Sequence, residues 1–552
     1  MLRLTEIKLP LDHAPAALRA AAAQRLAVAE EDIVDLRIFR RGHDARHAPE
    51  IRFIYTLDVQ LRAGIAPMPA AHVGPTPPSD YRLPFVSRAE HHRRPVVIGA
   101  GPCGLFATLI LAQMGLRPLL LERGKPVRPR TADTWGLWRR GVLQAQSNVQ
   151  FGEGGAGTFS DGKLYSSVKD QAHRWRKVLT ELVAAGAPEE ILYVSKPHIG
   201  TFRLVTVVES LRATIEALGG TYRFQSQVTD LMLGQDRQVR GVVLADGEII
   251  QADRLILAPG HSARDSFAML ASHHVRMHAK PFSIGARIEH PQSHIDRGRF
   301  GGPRPDILGA ADYKMVAHDA AGRDVYSFCM CPGGTVVAAT SEAGHLVTNG
   351  MSQYSRAERN ANAALVVAIT PERDYPADPL AGIDLQRRLE RAAFRLGGGT
   401  YAAPAQRLED FLAGRPSQRM GDVTPSYRPG VTPADLRHCL PDFAVAALRA
   451  AIPRFAAQLP GFDLADAVLT GVETRTSSPV RLDRDRHTLQ SPNTPGLFPA
   501  GEGCGYAGGI LSAAIDGIRA AEALAASLTP TTLSASAAPG RRQTHGPMKS
   551  GS

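Results

Sequence analysis

Three glycines, Gly99, Gly101 and Gly104, stand in a G-x-G-x-x-G spacing inside the segment VVIGAGPCGLFATLILAQMGLRPLLLERG. That spacing binds a dinucleotide when a buried strand precedes it and a helix follows. Gly99 allows the tight turn, Gly101 lets backbone approach a pyrophosphate without a Cβ, and Gly104 brings the helix close to the strand. Pro102 fits the first helical turn, where its missing N–H costs nothing. Cys103 fills the small-residue position and packs beside the ligand. Free N–H groups at the helix start face the phosphates. Glu122 ends the next apolar run, where a carboxylate accepts hydrogen bonds from ribose hydroxyls; a 2′-phosphate would call for Arg, so NADP is not the ligand here. Arg123 follows and is placed to line the adenine end.

Later segments choose between NAD and FAD. FQSQVTDLMLG, GVVLADGEIIQ and LILAPG succeed one another, an order similar to that of FAD domains, which often set backbone at the position of Val228 against the adenine and a strand ending like Ala258 and Gly260 beside the pyrophosphate. Near the C-terminus, GLFPAGEGCGYAGGILSAAIDGIRAA reads as strand, Gly501-Glu502, then Gly508, Gly509 and Ile510 opening a long helix. Glu502 is placed to bond the ribityl or phosphate end. A helix aiming its positive N-terminus at a flavin pyrimidine stabilises the anion formed on reduction. Two halves so far apart in sequence serve one cofactor only in a two-part FAD site, and NAD alone has no use for the second half.

The strings VVIGAGPCGLFA, NVQFGEGGAGTFSDGKLYS, KPFSIGARIEHPQ, SFCMCPGGTVVAATSE, NGMSQYSR and PAGEGCGYAGGI give the sequence a family resemblance. It resembles the bacterial FAD-dependent dehydrogenases, NAD(P)/FAD-dependent oxidoreductases of the glutathione-reductase-type Rossmann superfamily. Within that superfamily it resembles a branch with a small N-terminal α/β domain. The resemblance covers nearly the whole chain except the tail and implies a FAD-binding oxidoreductase without naming a substrate. Glu502 departs from the wider pattern, in which Asp is usual. The resemblance also makes the loop from Phe151 to Ser166 a flavin and phosphate contact, through Gly154, Gly155, Gly157 and Thr158, with Lys163 near the substrate or the flavin edge.

The same resemblance puts Phe328-Cys329-Met330-Cys331 in a substrate domain, facing the flavin. A thiolate there can pair with oxidised flavin and a thiol can donate a proton. Positions i and i+2 of a strand share a face, so Cys329 and Cys331 are expected on one wall. Arg287 and Glu289 share a face of another strand, with His290 opposite. Arg287 is read either as a clamp on an anionic substrate or as a salt-bridge partner. Ser341, Glu342, Asn349 and Ser352 form a further polar cluster for reading substrate.

These groups need a mixed architecture to hold them. Residues 1–66 read as a small α/β domain, with strands in LRLTEIKL, VDLRIFRR and IRFIYTLDVQL and a helix from Ala14 to Val28. A Pro-rich connection occupies 67–94. The expected FAD-binding Rossmann-type domain is discontinuous, 95–270 and 476–529, around an inserted mixed α+β substrate domain at 271–475. The tail, 530–552, is rich in Ser, Ala, Gly and Pro and is expected to be disordered.

Composition narrows the class further. The chain has 552 residues, 44% hydrophobic and 21% charged, so more than one core is expected in a globular protein. No run reaches the length of a membrane span and the N-terminus has no secretory pattern, so a cytoplasmic protein is expected. Five cysteines, Cys103, Cys329, Cys331, Cys439 and Cys504, suit a reducing compartment better than a disulfide scaffold, and no metal site is expected. The net charge of +11 is carried by Arg scattered among acids, which makes a nucleic-acid partner improbable. A flavin oxidoreductase acting on a small organic substrate is the leading reading, with electron donor and acceptor open and a homo-oligomer allowed. No second fingerprint is present, so NAD(P)H as donor would dock transiently. The alternatives are a flavin-dependent RNA-modifying enzyme and a redox sensor built on Cys329 and Cys331.

Overall fold

The computed structural model describes residues 1–46, 50–84, 93–166, 168–319 and 322–528. The tail from 530 and part of the 67–94 connection lie outside these residues.

Apolar runs too short for helices and buried on both faces form four of the five strands of a parallel sheet, the fifth, at one edge, being polar and partly exposed. Its order is Leu497–Pro499, Leu255–Leu257, Val96–Ile98, Leu119–Leu121 and Thr221–Arg223, with every neighbouring pair parallel. The C-terminal strand thus joins an edge of the sheet that the fingerprint strand occupies at its centre. The helix Pro102–Gln113 is apolar all round and buried from Cys103 to Ala112. It packs against Ile510–Ala526 so closely that a Cβ on Gly517 would lie 2.1 Å from the Cys103 carbonyl oxygen. A three-stranded antiparallel sheet, Val228–Leu233, Val239–Leu244 and Ile249–Gln251, covers the side of this layer.

The chain leaves this layer through Met277–Ala279 and returns through Val480–Leu482, which pair antiparallel with each other. Between them lies a seven-stranded sheet: Val316–His318, Asp324–Cys331, Asn360–Ile369, Phe282–Pro291, Val468–Glu473, Ala403–Arg407 and Val431–Pro433. Its central strands, Phe282–Pro291 and Asn360–Ile369, are buried almost throughout. The helices Ala381–Leu396 and Asp442–Gln458 pack on it, and Leu365, Val367, Leu448 and Ile452 belong to one core.

The N-terminal unit is a four-stranded sheet ordered Ile33–Asp44, Arg52–Leu61, Leu2–Pro10 and Val73–Pro75. The helix Ala17–Leu26 closes it, burying Leu26 with Leu4 and Leu57. This helix is shorter than the predicted Ala14–Val28. It ends at Ala27, which takes a left-handed conformation and caps back onto Ala23 and Gln24.

Candidate functional site

One cavity of about 780 Å³ is lined by both layers. Its floor is the carboxyl end of the parallel strands, where α/β sheets hold ligands, and its roof is the seven-stranded sheet at Phe328–Cys331 and Glu473, with Asn349 from a separate two-stranded sheet of Gly334–Ala338 and Thr348–Ser352. Gly99 lies beneath it with φ +99°, and a Cβ there would lie 2.2 Å from the Ala258 carbonyl oxygen. The positive φ and the crowding both demand glycine at that turn.

Glu122 organises the nucleotide end. Its Oε2 accepts the Ala100 N–H at 2.8 Å, and its Oε1 accepts those of Gly124 at 2.8 Å and Gly152 at 2.9 Å. One carboxylate therefore ties the fingerprint turn, the end of the second strand and the glycine loop together, while still lining the cavity. Arg123 pairs twice with Asp265, at 2.9 and 2.6 Å, and covers the Phe151 ring at 4.2 Å.

The glycine loop is shaped from below by Arg130, a fully buried residue that the sequence reading did not single out. Its guanidinium donates to the carbonyls of Asn148, Val149, Gly152, Glu153 and Gly155 at 2.6–3.3 Å. Burial lowers its pKa to about 10, and Glu122 and Glu153 oppose that fall. Gly155 and Gly157 line the cavity. Gly154 and Thr158 do not; they pack on each other behind it, a Cβ on Gly154 meeting the Thr158 hydroxyl at 2.1 Å. Gly104 also lies behind the wall, against the Gly99 carbonyl.

At the other end of the floor, a Cβ on Gly501 would lie 2.8 Å from the Cys103 Cβ, so the two glycine motifs pack against each other. Val228, Ala258, Gly260, Gly501, Glu502, Gly508, Gly509 and Ile510 all line the cavity, as do Gly101, Pro102 and Cys103. Glu502 accepts the Gly509 N–H at 3.2 Å. Burial raises its carboxyl above the ordinary value against that bond. His261 Nε2 lies 4.0 Å away; burial, aided by Arg475 and Arg264, pushes this imidazole down to about 3, so it is neutral. Arg475 lines the roof, donating to Ser262 at 3.1 Å and Ser341 at 2.7 Å while Glu390 grips it from behind. Burial alone would raise Glu390; Arg475 and Arg264 overcome it and hold the carboxyl far below the usual range.

The candidate catalytic groups fall into two sets. Cys329, Cys331 and Lys163 line the cavity. Lys163 reaches the Met330 carbonyl and lies 3.2 Å from Asp161. Burial opposes its charge, but Asp161 and the two thiols more than compensate and raise its pKa. Burial would raise Asp161, yet Lys163 and Arg356 hold it at about 2. The two cysteines do not share a regular strand face. The ladder slips by one residue between Phe328 and Cys331, and Cys329 takes φ +43°. Such a bulge turns its side chain out of the alternation. Cys329 is consequently open to the cavity, whereas Cys331 is buried and its thiol lies 3.3 Å from the Cys329 carbonyl. Although open on one side, Cys329 is ringed by protein, and burial pushes its thiol up to about 12. Burial raises Cys331 as well, with Lys163 and Arg287 pulling the other way in both cases.

Arg287 does not line the cavity. It is fully buried and pairs with Glu473 at 2.9 and 3.2 Å, and it also donates to the Cys329 carbonyl, Asn349 and Asn362. Of the two readings of Arg287, the salt bridge is the one its surroundings realise. In the polar cluster, Asn349 lines the cavity, Glu342 pairs with Arg264 and Arg387, and Ser352 bonds the Pro332 carbonyl. Among the described residues, no helix is long and apolar enough to cross a membrane.

The residues fit an extended dinucleotide. Cβ positions on Gly260, Gly508 and Gly509 would meet only open space, leaving a bare cradle along the floor. Two helices begin there, at Pro102 and Ile510, with the free N–H groups of a first turn.

The chain is similar to several known proteins. Residues 281–476 match the family model described as FAD-dependent protein, C-terminal domain-like, and residues 1–60 match a domain of unknown function (DUF8436). An uncharacterized protein of Clostridium beijerinckii is 44% identical over 531 residues, spanning 94% of this chain and 98% of its own. Among solved structures, CtdE in complex with FAD is similar at 12% identity and a TM-score of 0.31, over 79% of this chain and 85% of its own. Glycine oxidase from Bacillus cereus is similar at 11% identity and a TM-score of 0.31, over 79% and 95%.

Proposed function

We propose that the chain, which belongs to the same family as the Clostridium beijerinckii protein and carries the C-terminal domain of FAD-dependent proteins, is a FAD-dependent dehydrogenase or reductase for a small organic substrate. The observation carrying this reading is one shared cavity, whose floor is built from both glycine motifs and whose roof is formed largely by the seven-stranded sheet. FAD, when bound, supplies two-electron redox chemistry at its ring system. The chain's own groups bind and orient. Glu122 holds the ribose end, the glycines at 99, 101, 155 and 260 admit the phosphates, and the helix opening at Ile510 presents its positive end to the flavin.

Substrate would then lie between the flavin and the roof, against Cys329 and Lys163. Lys163 keeps its proton at neutral pH because Asp161 favours the charged form. It is suited to hold developing negative charge. Cys329 keeps its proton too, so it acts as a hydrogen-bond or proton donor and not as a thiolate. The same high pKa leaves a Cys329/Cys331 redox switch with less support, since the thiolate is the reactive form.

The test is spectroscopic. The purified full chain should be yellow, and its flavin band should bleach with dithionite and with a physiological donor, NADH and NADPH among those tried. Protein that stays colourless after reconstitution with FAD refutes the reading.

A further inference from the structure

We infer that the substrate is an organic anion, carrying a carboxylate or phosphate, and that the N-terminal domain completes its binding site through Arg40. This rests on the proposal that substrate occupies the cavity beside the flavin.

The N-terminal sheet docks beside the cavity by its own backbone. The Arg41 N–H donates to the Tyr193 carbonyl at 2.7 Å, and the Ser195 N–H donates to the Arg41 carbonyl at 2.8 Å. Gly42 permits the approach, since a Cβ there would already lie 3.1 Å from the Ser195 hydroxyl. Arg41 stays on the domain side, its guanidinium 5.5 Å from the Phe53 ring and 5.4 Å from that of Tyr193. Successive strand side chains point to opposite faces, and the neighbouring Arg40 lines the cavity. So does the docked segment itself, through Ser195 and Lys196.

Charge at this end is unbalanced. Arg40, Lys163, Lys196 and Lys314 line it, with Asp161, Asp312 and Glu473 as the acids, Glu473 being neutralised from behind by Arg287. Lys196 is committed to Asp312 at 2.8 and 2.9 Å, and Lys163 to Asp161 at 3.2 Å. Asp161 is shared further with Arg356. Arg40 and Lys314 have no acidic partner among the described residues, leaving two positive charges in excess. These groups belong to the chemical end of the cavity: Lys163 acts on Asp312 through space, and Tyr165 feels Lys163, Asp312 and Cys329 together. The acids Glu122 and Glu502 line the nucleotide floor instead. A cleft with one sign of charge in excess concentrates ligands of the opposite sign.

The experiment uses the FAD-loaded full chain, titrated with benzoate, phenyl phosphate and the neutral benzamide while the flavin band is followed. At least one of the two anions should shift the band saturably, with a Kd that rises with sodium chloride, and benzamide should bind at least about tenfold more weakly, the discrimination of one charge contact. Benzoate against phenyl phosphate tells which anionic group is preferred. Arg40→Met and Lys314→Met should each raise the anion's Kd about five- to tenfold with FAD content unchanged. Arg37→Met, on the same strand but paired with Asp35, should leave it unchanged. Both Arg40 and Lys314 are exposed, so neither substitution threatens folding. A band indifferent to both anions, equal binding of benzamide, or an unaltered Kd in Arg40→Met overturns the inference. Failure of the wild-type chain to hold FAD would instead refute the flavin reading.

Discussion

Arg130→Lys is the substitution that most directly tests how the glycine loop is held. The guanidinium serves five carbonyl oxygens from a fully buried position under residues 148–155. A lysine ammonium has three donors on one atom, so at least two of those carbonyls lose their partner. Each orphaned buried acceptor costs about 1–3 kcal/mol, which puts the loosening at about 2–6 kcal/mol. The penalty should be local, because the acceptors all lie in one loop that is otherwise pinned by Glu122 through Gly152. If about 2.8 kcal/mol of it falls on cofactor binding, the Kd for FAD rises about a hundredfold. The assay is a fluorescence titration of apoprotein with FAD, run beside hydrogen exchange at the amides of 148–157. Exchange there should accelerate while the N-terminal sheet and the seven-stranded sheet stay protected. A Kd within about threefold of wild type, with exchange in the loop unchanged, would refute the assignment of Arg130 as the loop's organiser.

Two further outcomes follow from the roof. Arg287→Met strands Glu473 in a buried site and should cost about 3–5 kcal/mol, seen as a lowered thermal midpoint. The double variant Arg287→Met/Glu473→Leu should regain most of that loss, because removing both charges is far milder than removing one. A variant with normal melting but weakened substrate binding would restore the clamp reading. Cys329, with its pKa raised to about 12, should alkylate slowly despite being open to the cavity. In FAD-free protein, about one thiol in a thousand is thiolate at pH 9, so the iodoacetamide rate at this residue should climb about tenfold per pH unit from 8 to 11. Peptide mass spectrometry reads the site; a rate that levels off near pH 9, as for a free cysteine, contradicts the burial argument.

The floor of the cavity was legible in the sequence because its signals are local. A fully buried three-residue strand must be apolar, a tight turn at positive φ must be glycine, and both appear as contiguous strings at Gly99 and again at Gly501. The union of these distant strings rested on one chemical argument, that a single cofactor needs both. The parallel ladder that places Leu255–Leu257 between the fingerprint strand and Leu497–Pro499 is consistent with that argument. Glu122 was also readable, by its position after the second strand. Its three backbone donors were not, since Gly152 reaches it only after the intervening helix Val127–Arg140 has folded back.

What the sequence concealed depends on register and docking. Gly154 and Thr158 carry the same composition signal as Gly155 and Gly157, yet a single short helical turn at Ala156–Phe159 sends one pair inward and the other to the wall. Cys329 and Cys331 obey strand alternation only if the ladder is regular, and the bulge before Cys331 breaks it. Arg130 and Arg40 are arginines in a chain with 64 basic residues, and nothing about their neighbours marks them. Arg130 gains its role because five carbonyls converge on it, and Arg40 because a separate sheet lends a strand to the segment at Tyr193–Ser195. Both roles arise from convergence of backbone atoms far apart in sequence, where side-chain type carries no information. It follows that the end of the cavity nearest the N-terminal domain is the part whose chemistry can change between related chains without disturbing either glycine motif: a substitution at Arg40 alters the charge offered to substrate while the floor that holds the dinucleotide stays as it is.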